Sequence, residues 1–208
     1  MTLEKSLREK ITRIENWDYE IFLELYTSEF SKNKKVVLFA KIYSFFGNFY
    51  FWGLIWLIMG IYGFITKDYY LFVLFTGGFE QSFGLYLLVR YLIVRRNRPY
   101  ITLKDRGVIQ QDELIREHKS FPSGHVTFFL LFGCIFAFYY NSWILFIIFI
   151  GLDIIMAGTR LILGVHFPID VIFGFVFGLF FAFLYLCITY PYWVAFFYWL
   201  GQTFSPFR

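Results

Sequence analysis

The stretch GTRLILGVHFPID, Gly158 to Asp170, puts an arginine, a histidine and an aspartate between two long apolar runs. Charged groups at membrane depth require partners or a function, so Arg160, His166 and Asp170 must be explained together. The surrounding chain makes the setting clear. Of its 208 residues 59% are hydrophobic and 25% aromatic, and the mean hydropathy is +0.59, which is too apolar for an ordinary soluble domain and points to a membrane protein. No repeat or low-complexity stretch suggests a second folded unit, so we expect an amphipathic segment over 1–35 followed by one transmembrane domain over 36–208.

Working outward, apolar stretches of roughly 20 residues, the length a bilayer demands, recur along the chain. They lie within Val36 to Ile65, Tyr69 to Val94, His125 to Tyr140, Trp143 to Leu163 and Pro168 to Cys187. The first is long enough to begin as an interfacial segment before Gly47. The tail from Tyr190 to Phe207 is aromatic and interrupted by Pro191, Gly201 and Pro206, which reads as an interfacial belt with a short sixth span as the alternative. Ahead of the spans, Ile14, Trp17, Ile21 and Leu25 recur at helical spacing among Glu and Lys, the pattern of a helix lying on the membrane surface. The expected fold is therefore all-α: a polytopic bundle of five or six transmembrane helices with an N-terminal amphipathic interfacial helix. The mixed charge of residues 4–10 departs from a secretory leader, so the spans are expected to direct their own insertion. Cys134 and Cys187 lack the spacing of a metal or redox motif and read as core residues.

Five alternating spans bring the loop after the second and the turn before the fifth to one face. Two polar clusters then join the opening one at the mouth of the bundle. In VRRNRPY, Arg95, Arg96 and Arg98 follow the second span; in FPSGHVTFF, Ser123 and Gly124 stand where a helix begins and His125 opens it. A helix N-terminus offers free N–H groups to an anion. Pro168 suits a first helical turn, which sets Asp170 four residues after His166, able to hold one imidazole nitrogen and leave the other as a nucleophile. Arg160 supplies forked donors matched to phosphate oxygens. No cluster is dense enough in carboxylate or cysteine to hold a metal, so neither metal nor cofactor is expected, and the set suits phosphoryl chemistry. Of three other intramembrane charges, Arg90, Glu80 and Asp153, mutual pairing is the first expectation, with support of Arg160 by Asp153 as the second.

Three motifs carry a resemblance: Arg98-Pro99, Pro122-Ser123-Gly124-His125, and Arg160 followed at His166 and Asp170. Their order and spacing resemble the type 2 phosphatidic acid phosphatase superfamily, the lipid phosphate phosphatases. The resemblance spans Tyr91 to Asp170. It implies that His166 attacks phosphorus, Asp170 orients it, and His125 protonates the leaving alcohol and later activates water. Arg98, Arg160, Ser123 and the Gly124 backbone would hold the phosphate, and a lateral gap between spans would admit a lipid tail. Two positions depart from the family pattern. The family lysine seven residues before Arg-Pro is Tyr91 here, so Arg90, given a local loosening of the helix, or Arg96 is expected to take its place. The usual serine before Arg160 is Thr159, which keeps the hydroxyl.

The reading implied is a metal-independent membrane phosphatase acting on a lipid phosphate or diphosphate through a phosphohistidine. A lipid phosphotransferase differs only in the acceptor. A non-enzymatic protein that binds anionic lipid through its arginines is the alternative of another class. The partners expected are a lipid phosphate and the bilayer, with no nucleic acid and no obligatory protein partner. Seven basic residues between Lys5 and Lys35 and seven between Arg95 and Lys119 share one face, which the positive-inside rule would make cytoplasmic. The resemblance instead implies an exoplasmic site, and seven acids balance the N-terminal set.

Overall fold

A computed structural model describes residues 2–114 and 117–204. The described residues are helical apart from loops and one isolated antiparallel bridge between Asn97 and Lys119. Helices α1 (Thr2–Thr27), α2 (Glu29–Lys32) and α3 (Lys34–Phe45) precede the bundle, which is built from α4 (Phe49–Thr66), α5 (Tyr70–Leu88), α7 (Gly124–Tyr139), α8 (Trp143–Ile162) and α9 (Pro168–Leu184). A one-turn α6 (Pro99–Thr102) sits in the long loop, and α10 (Tyr190–Phe204) ends the described chain. Among the described residues, four helical segments are long and apolar enough to cross a membrane: Phe49–Thr66, Tyr70–Leu92, Trp143–Ile162 and Pro168–Thr203. The protein is an integral membrane helical bundle.

The shorter apolar helix α7 is its axis. At 1.5 Å per residue its 16 residues rise about 24 Å, less than a bilayer's hydrocarbon core, and its neighbours sheathe it: Val126, Phe128, Leu130, Leu131, Phe132 and Ile135 are all buried. Small residues allow this approach, as membrane helices require in the absence of a hydrophobic drive between them. A Cβ on Gly174 would stand 3.0 Å from the Ser123 carbonyl oxygen, and one on Gly178 would stand 2.9 Å from that of Thr127. The Thr127 hydroxyl fills the seam by donating to the Gly174 carbonyl at 3.1 Å.

The first apolar run is divided where Gly47 suggested. Helix α3 ends at Phe45, and Asn48 caps α4 by accepting the Tyr50 N–H at 2.9 Å. The C-terminal tail corrects the sequence expectation. It is no separate belt: it continues α9 through a π-turn at Tyr185–Thr189 into α10, which packs on α5. Pro191 lacks an N–H and its ring crowds the preceding turn; the wider π-turn just before it relieves that conflict and lets the helix run on. Cys187 also departs from expectation, being exposed on this helix while Cys134 is buried.

Helix α1 is amphipathic, and its two faces divide the sequence pattern. Ile14, Trp17 and Leu25 are exposed, as an interfacial stripe requires, while Phe22 and Asp18 are fully buried against the body. Phe22 meets the Phe167 ring edge-on at 5.3 Å, just ahead of α9. The N-terminal helix thus lies directly over the turn that carries His166.

Candidate active site

The three polar clusters are bolted together by backbone and side chain. The Ser123 N–H donates to the Asp170 carbonyl at 3.0 Å, joining the start of α7 to the first turn of α9. The Arg98 N–H donates to the His118 carbonyl at 3.1 Å, and the Ser120 N–H to that of Arg96 at 2.9 Å, closing the long loop on itself. The Arg98 guanidinium then reaches the third cluster, with Nη1 2.9 Å from the Val165 carbonyl and 3.0 Å from His166 Nε2, while its Nε donates to the Glu117 carbonyl at 2.6 Å. Gly164, at φ 71°, makes the turn that presents Val165 and His166; a Cβ there would also strike the Ile109 carbonyl at 2.7 Å.

The Arg98 contact fixes the imidazole tautomer. A guanidinium only donates, so Nε2 of His166 is the acceptor and carries the lone pair, and the proton of the neutral ring is on Nδ1. Asp170 contributes less directly than its spacing suggested. Its Oδ2 stands 3.7 Å from His166 Nδ1, beyond hydrogen-bond range, and accepts the Phe167 N–H at 2.8 Å instead, while Oδ1 takes Arg96 Nη1 at 3.3 Å. The carboxylate caps its own helix and supplies negative charge to the ring. Burial, followed by the charges of Arg98, Arg160 and Arg90 and the nearby His125, holds the His166 pKa well below its usual value. Burial and the Arg90 and Arg160 charges pull Arg98 down to about 10, leaving it cationic at neutral pH.

Arg160 and His125 lie near enough to His166 for their charges to act on its ring, and Ser123 stands two residues before His125 at the start of α7. The fully buried Arg160 spends Nη1 on Asp112 Oδ2 at 2.9 Å and on the Ser44 hydroxyl, and its Nε and Nη2 are buried without a partner. The Ser123 hydroxyl and His125 Nε2 are likewise buried and unpartnered. Ser123 occupies the N-cap position of α7 but does not cap with its side chain, so both the hydroxyl and the first-turn N–H groups beside Gly124 are uncommitted. Buried polar atoms are nearly always paired; here residues of the second and third motifs leave such atoms without a partner. The charges of Arg90, Arg98 and Arg160 bear on both imidazoles.

The two stand-ins for the family lysine are engaged elsewhere. The helix does loosen: Val89–Ile93 form a π-turn that buries Arg90 and leaves Tyr91 exposed. Yet every Arg90 nitrogen has a partner, with Nε on Glu117 at 2.8 Å, Nη1 on the Tyr86 hydroxyl and the Pro122 carbonyl, and Nη2 on the Lys119 carbonyl. Arg90 therefore holds the loop ahead of His125 in place. Arg96 bridges Asp170 and Asp18 and lies over the Phe167 ring at 4.0 Å. The pairing expected within the spans is also corrected: Arg90 meets Glu117 from the loop, Glu80 is exposed, and the buried Asp153 has no hydrogen-bond partner among the described residues, with Asp112 taking the role at Arg160. The Thr159 hydroxyl turns back to the Met156 carbonyl at 2.7 Å. Asp18, Ser44, Asp112 and Glu117 were missed as site residues, because each sits among ordinary polar residues with no motif around it.

An apolar cleft of about 360 Å³ is lined by Tyr43, Phe46, Trp52, Phe129, Phe149 and Leu152. Phe129 is one helical turn beyond His125 on α7.

No curated protein matches the sequence. Among solved structures, the fold is similar to that of the first transmembrane PAP2 type phosphatidylglycerolphosphate phosphatase from Bacillus subtilis, with a TM-score of 0.67 and 21% identity over 94% of this chain and 90% of that one. It is also similar to Aquifex aeolicus LpxE, with a TM-score of 0.57 and 20% identity over 80% of this chain and 93% of that one. The family model of the PAP2 superfamily matches residues 69–194, more than half of the chain and the whole stretch that carries Arg98, His125, Arg160 and His166, so the chain belongs to the PAP2 superfamily.

Proposed function

We propose that the protein hydrolyses a lipid phosphate at this site through a phosphohistidine on His166. The observation that carries the reading is the set of buried, unpartnered polar atoms, Arg160 Nε and Nη2, the Ser123 hydroxyl and His125 Nε2, on residues gathered about a neutral His166 whose Nε2 lone pair is covered by Arg98, itself a phosphate-type donor. A phosphate monoester fits both needs: its oxygens take the orphaned donors and Arg98, and its phosphorus meets the nucleophile.

In the first step, the Nε2 lone pair of His166 forms an N–P bond as the bond from phosphorus to the lipid oxygen breaks, and His125 in its protonated form gives its proton to that oxygen. In the second, neutral His125 takes a proton from water, the hydroxide attacks phosphorus, and the N–P bond breaks to release inorganic phosphate and restore His166. Arg160, Arg98, Ser123 and the Gly124 N–H hold the oxygens throughout. Arg90 and Arg96 act behind them by fixing the loop and Asp170. Asp170 offsets the positive charge of the phosphorylated ring.

The apolar cleft supports a lipid substrate, because Phe129 in its lining stands one helical turn from His125, the group that would protonate the leaving oxygen at the head of the tail. Residues 1–35 serve as an interfacial segment on a transmembrane catalytic domain, and the site faces the exoplasmic side. The test is phosphate release from a panel of lipid mono- and diphosphates with chelator present. Turnover that survives chelation and vanishes in His166→Ala supports the reading. Lipid labelling without phosphate release would assign a transferase, and lipid binding with no turnover would overturn the enzyme.

A further inference from the structure

Asp18 is fully buried although it belongs to α1, the helix that otherwise presents apolar side chains outward. Its Oδ1 accepts the Ile169 N–H at 2.9 Å, satisfying a first-turn donor of α9 that the helix itself leaves open. Its Oδ2 pairs with Arg96 Nη2, while Arg96 Nη1 holds Asp170. One carboxylate 151 positions away in sequence thus fixes both the helix end and the arginine that set the carboxylate facing His166.

We propose that Asp18 is a positioning residue of the active site, making the N-terminal helix an integral part of the catalytic apparatus rather than only a membrane contact. The proposal rests on the reading of His166 as nucleophile. Its physical basis is charge balance. A guanidinium paired with Asp170 alone would neutralise the carboxylate meant to stabilise the phosphorylated imidazole. By sharing Arg96, Asp18 leaves part of the Asp170 charge to His166, and by binding Ile169 it prevents the first turn of α9 from drifting. The remaining charged and titratable groups around His166 are Arg98 from the loop, Arg90 from the end of α5, His125 from α7 and Arg160 from α8. All are cationic or become so; Asp112 is committed to Arg160 and Glu117 to Arg90, which leaves Asp170, with Asp18 behind it through Arg96, as the carboxylate set against the His166 ring.

The test is Asp18→Asn in the full chain, which keeps the shape and removes the charge, with exposed Glu15→Gln on the same helix as the charge control. Expected for Asp18→Asn is a kcat lower by about 10- to 100-fold, a KM little changed, and an acid limb of kcat/KM moved to lower pH, because loss of a negative charge disfavours protonated His166. Glu15→Gln should match wild type. In an Arg96→Gln background, Asp18→Asn should add little, since its route to Asp170 is gone. Asp18→Asn with wild-type kcat and pH profile overturns the proposal, as does a loss that only tracks the folded fraction in a thermal unfolding assay. A wild-type protein that turns over no lipid phosphate overturns the nucleophile reading and this proposal with it; wild-type turnover matched by Asp18→Asn overturns this proposal alone.

Discussion

Arg98 Nη1 lies 3.0 Å from His166 Nε2, occupying the lone pair of the proposed nucleophile. In the proposed mechanism this contact keeps the resting site closed, and an incoming phosphate oxygen would compete for Arg98 and free the nucleophile as it binds. The guanidinium need not travel, because its Nε stays anchored on the Glu117 carbonyl. Substitution of His166 by Asn should lower kcat by about 10³-fold or more while leaving lipid binding measurable. Wild-type enzyme quenched in alkaline detergent should carry an acid-labile, base-stable phosphate on residue 166.

Arg98→Lys should be nearly as damaging. A lysine delivers a point charge and cannot reach the Glu117 and Val165 carbonyls and His166 Nε2 together. We expect kcat/KM to fall by about 100-fold, roughly 2.7 kcal/mol of transition-state stabilisation. Steady-state phosphate release with the wild-type protein alongside measures it, and a loss below threefold would show that charge alone suffices.

The pH dependence follows from the His166 environment. Burial first, then Arg98, Arg160 and Arg90, depress its pKa below the ordinary 6.5, so the folded ring stays neutral where a free histidine would be protonated. As pH falls, kcat/KM should hold through 6.5 and decline only below it, apart from titration of the substrate itself. Stability has the matching sign: the unfolded ring takes a proton first, so the contribution of neutral His166 is intact above about 6.5 and is lost as pH drops from there through the folded pKa. Thermal unfolding of His166→Asn should be less sensitive to acid over that window than that of wild type.

How far the sequence was legible depends on whether a residue acts within a motif or across the fold. His166 and Asp170 sit on one short segment, so their proximity followed from helical spacing alone, and the apolar runs required the spans. The 3.7 Å gap between the ring and Asp170 did not follow, since the Phe167 N–H competes for the same oxygen. The loosening at Val89–Ile93 could be anticipated from Tyr91 replacing a cation, but the destination of Arg90 could not, because its partners Lys119, Pro122 and Glu117 come from a loop whose path no periodicity encodes. Asp18 was invisible for the same reason. In a helix rich in Glu and Lys nothing marks one carboxylate as buried until α9 is seen to end against it.

Asp112 offers a prediction whose sign is not obvious. Its carboxylate pairs with Arg160 Nη1 at 2.9 Å and so competes with the bound anion for the same guanidinium. Asp112→Asn preserves an acceptor for Nη1 and Ser44 but removes the competing charge. Inorganic phosphate should then inhibit more strongly, by roughly threefold to tenfold for a change of about 1 kcal/mol, and kcat should fall as product leaves more slowly. A weaker phosphate inhibition would mean that Asp112 serves to orient Arg160 more than to balance it.

Gly47 tests the placement of the proposed acid. It lies at the break between α3 and α4, and a Cβ there would stand 2.8 Å from His125 Cδ2 and 3.0 Å from Met156 Sδ. The imidazole is the nearest neighbour of the added methyl, so Gly47→Ala should shift the ring proposed to protonate the leaving oxygen. Overpacking of this kind costs about 1–3 kcal/mol, and a misplaced acid of about 1 Å costs on the order of 100-fold in rate. The loss should depend on the leaving group. A lipid alkoxide needs the proton and should suffer fully, whereas p-nitrophenyl phosphate, with a leaving group that departs as an anion, should be spared most of it. Equal losses on both substrates would mean that the substitution disturbs phosphate binding or the fold, and that His125 is not the group that delivers the proton.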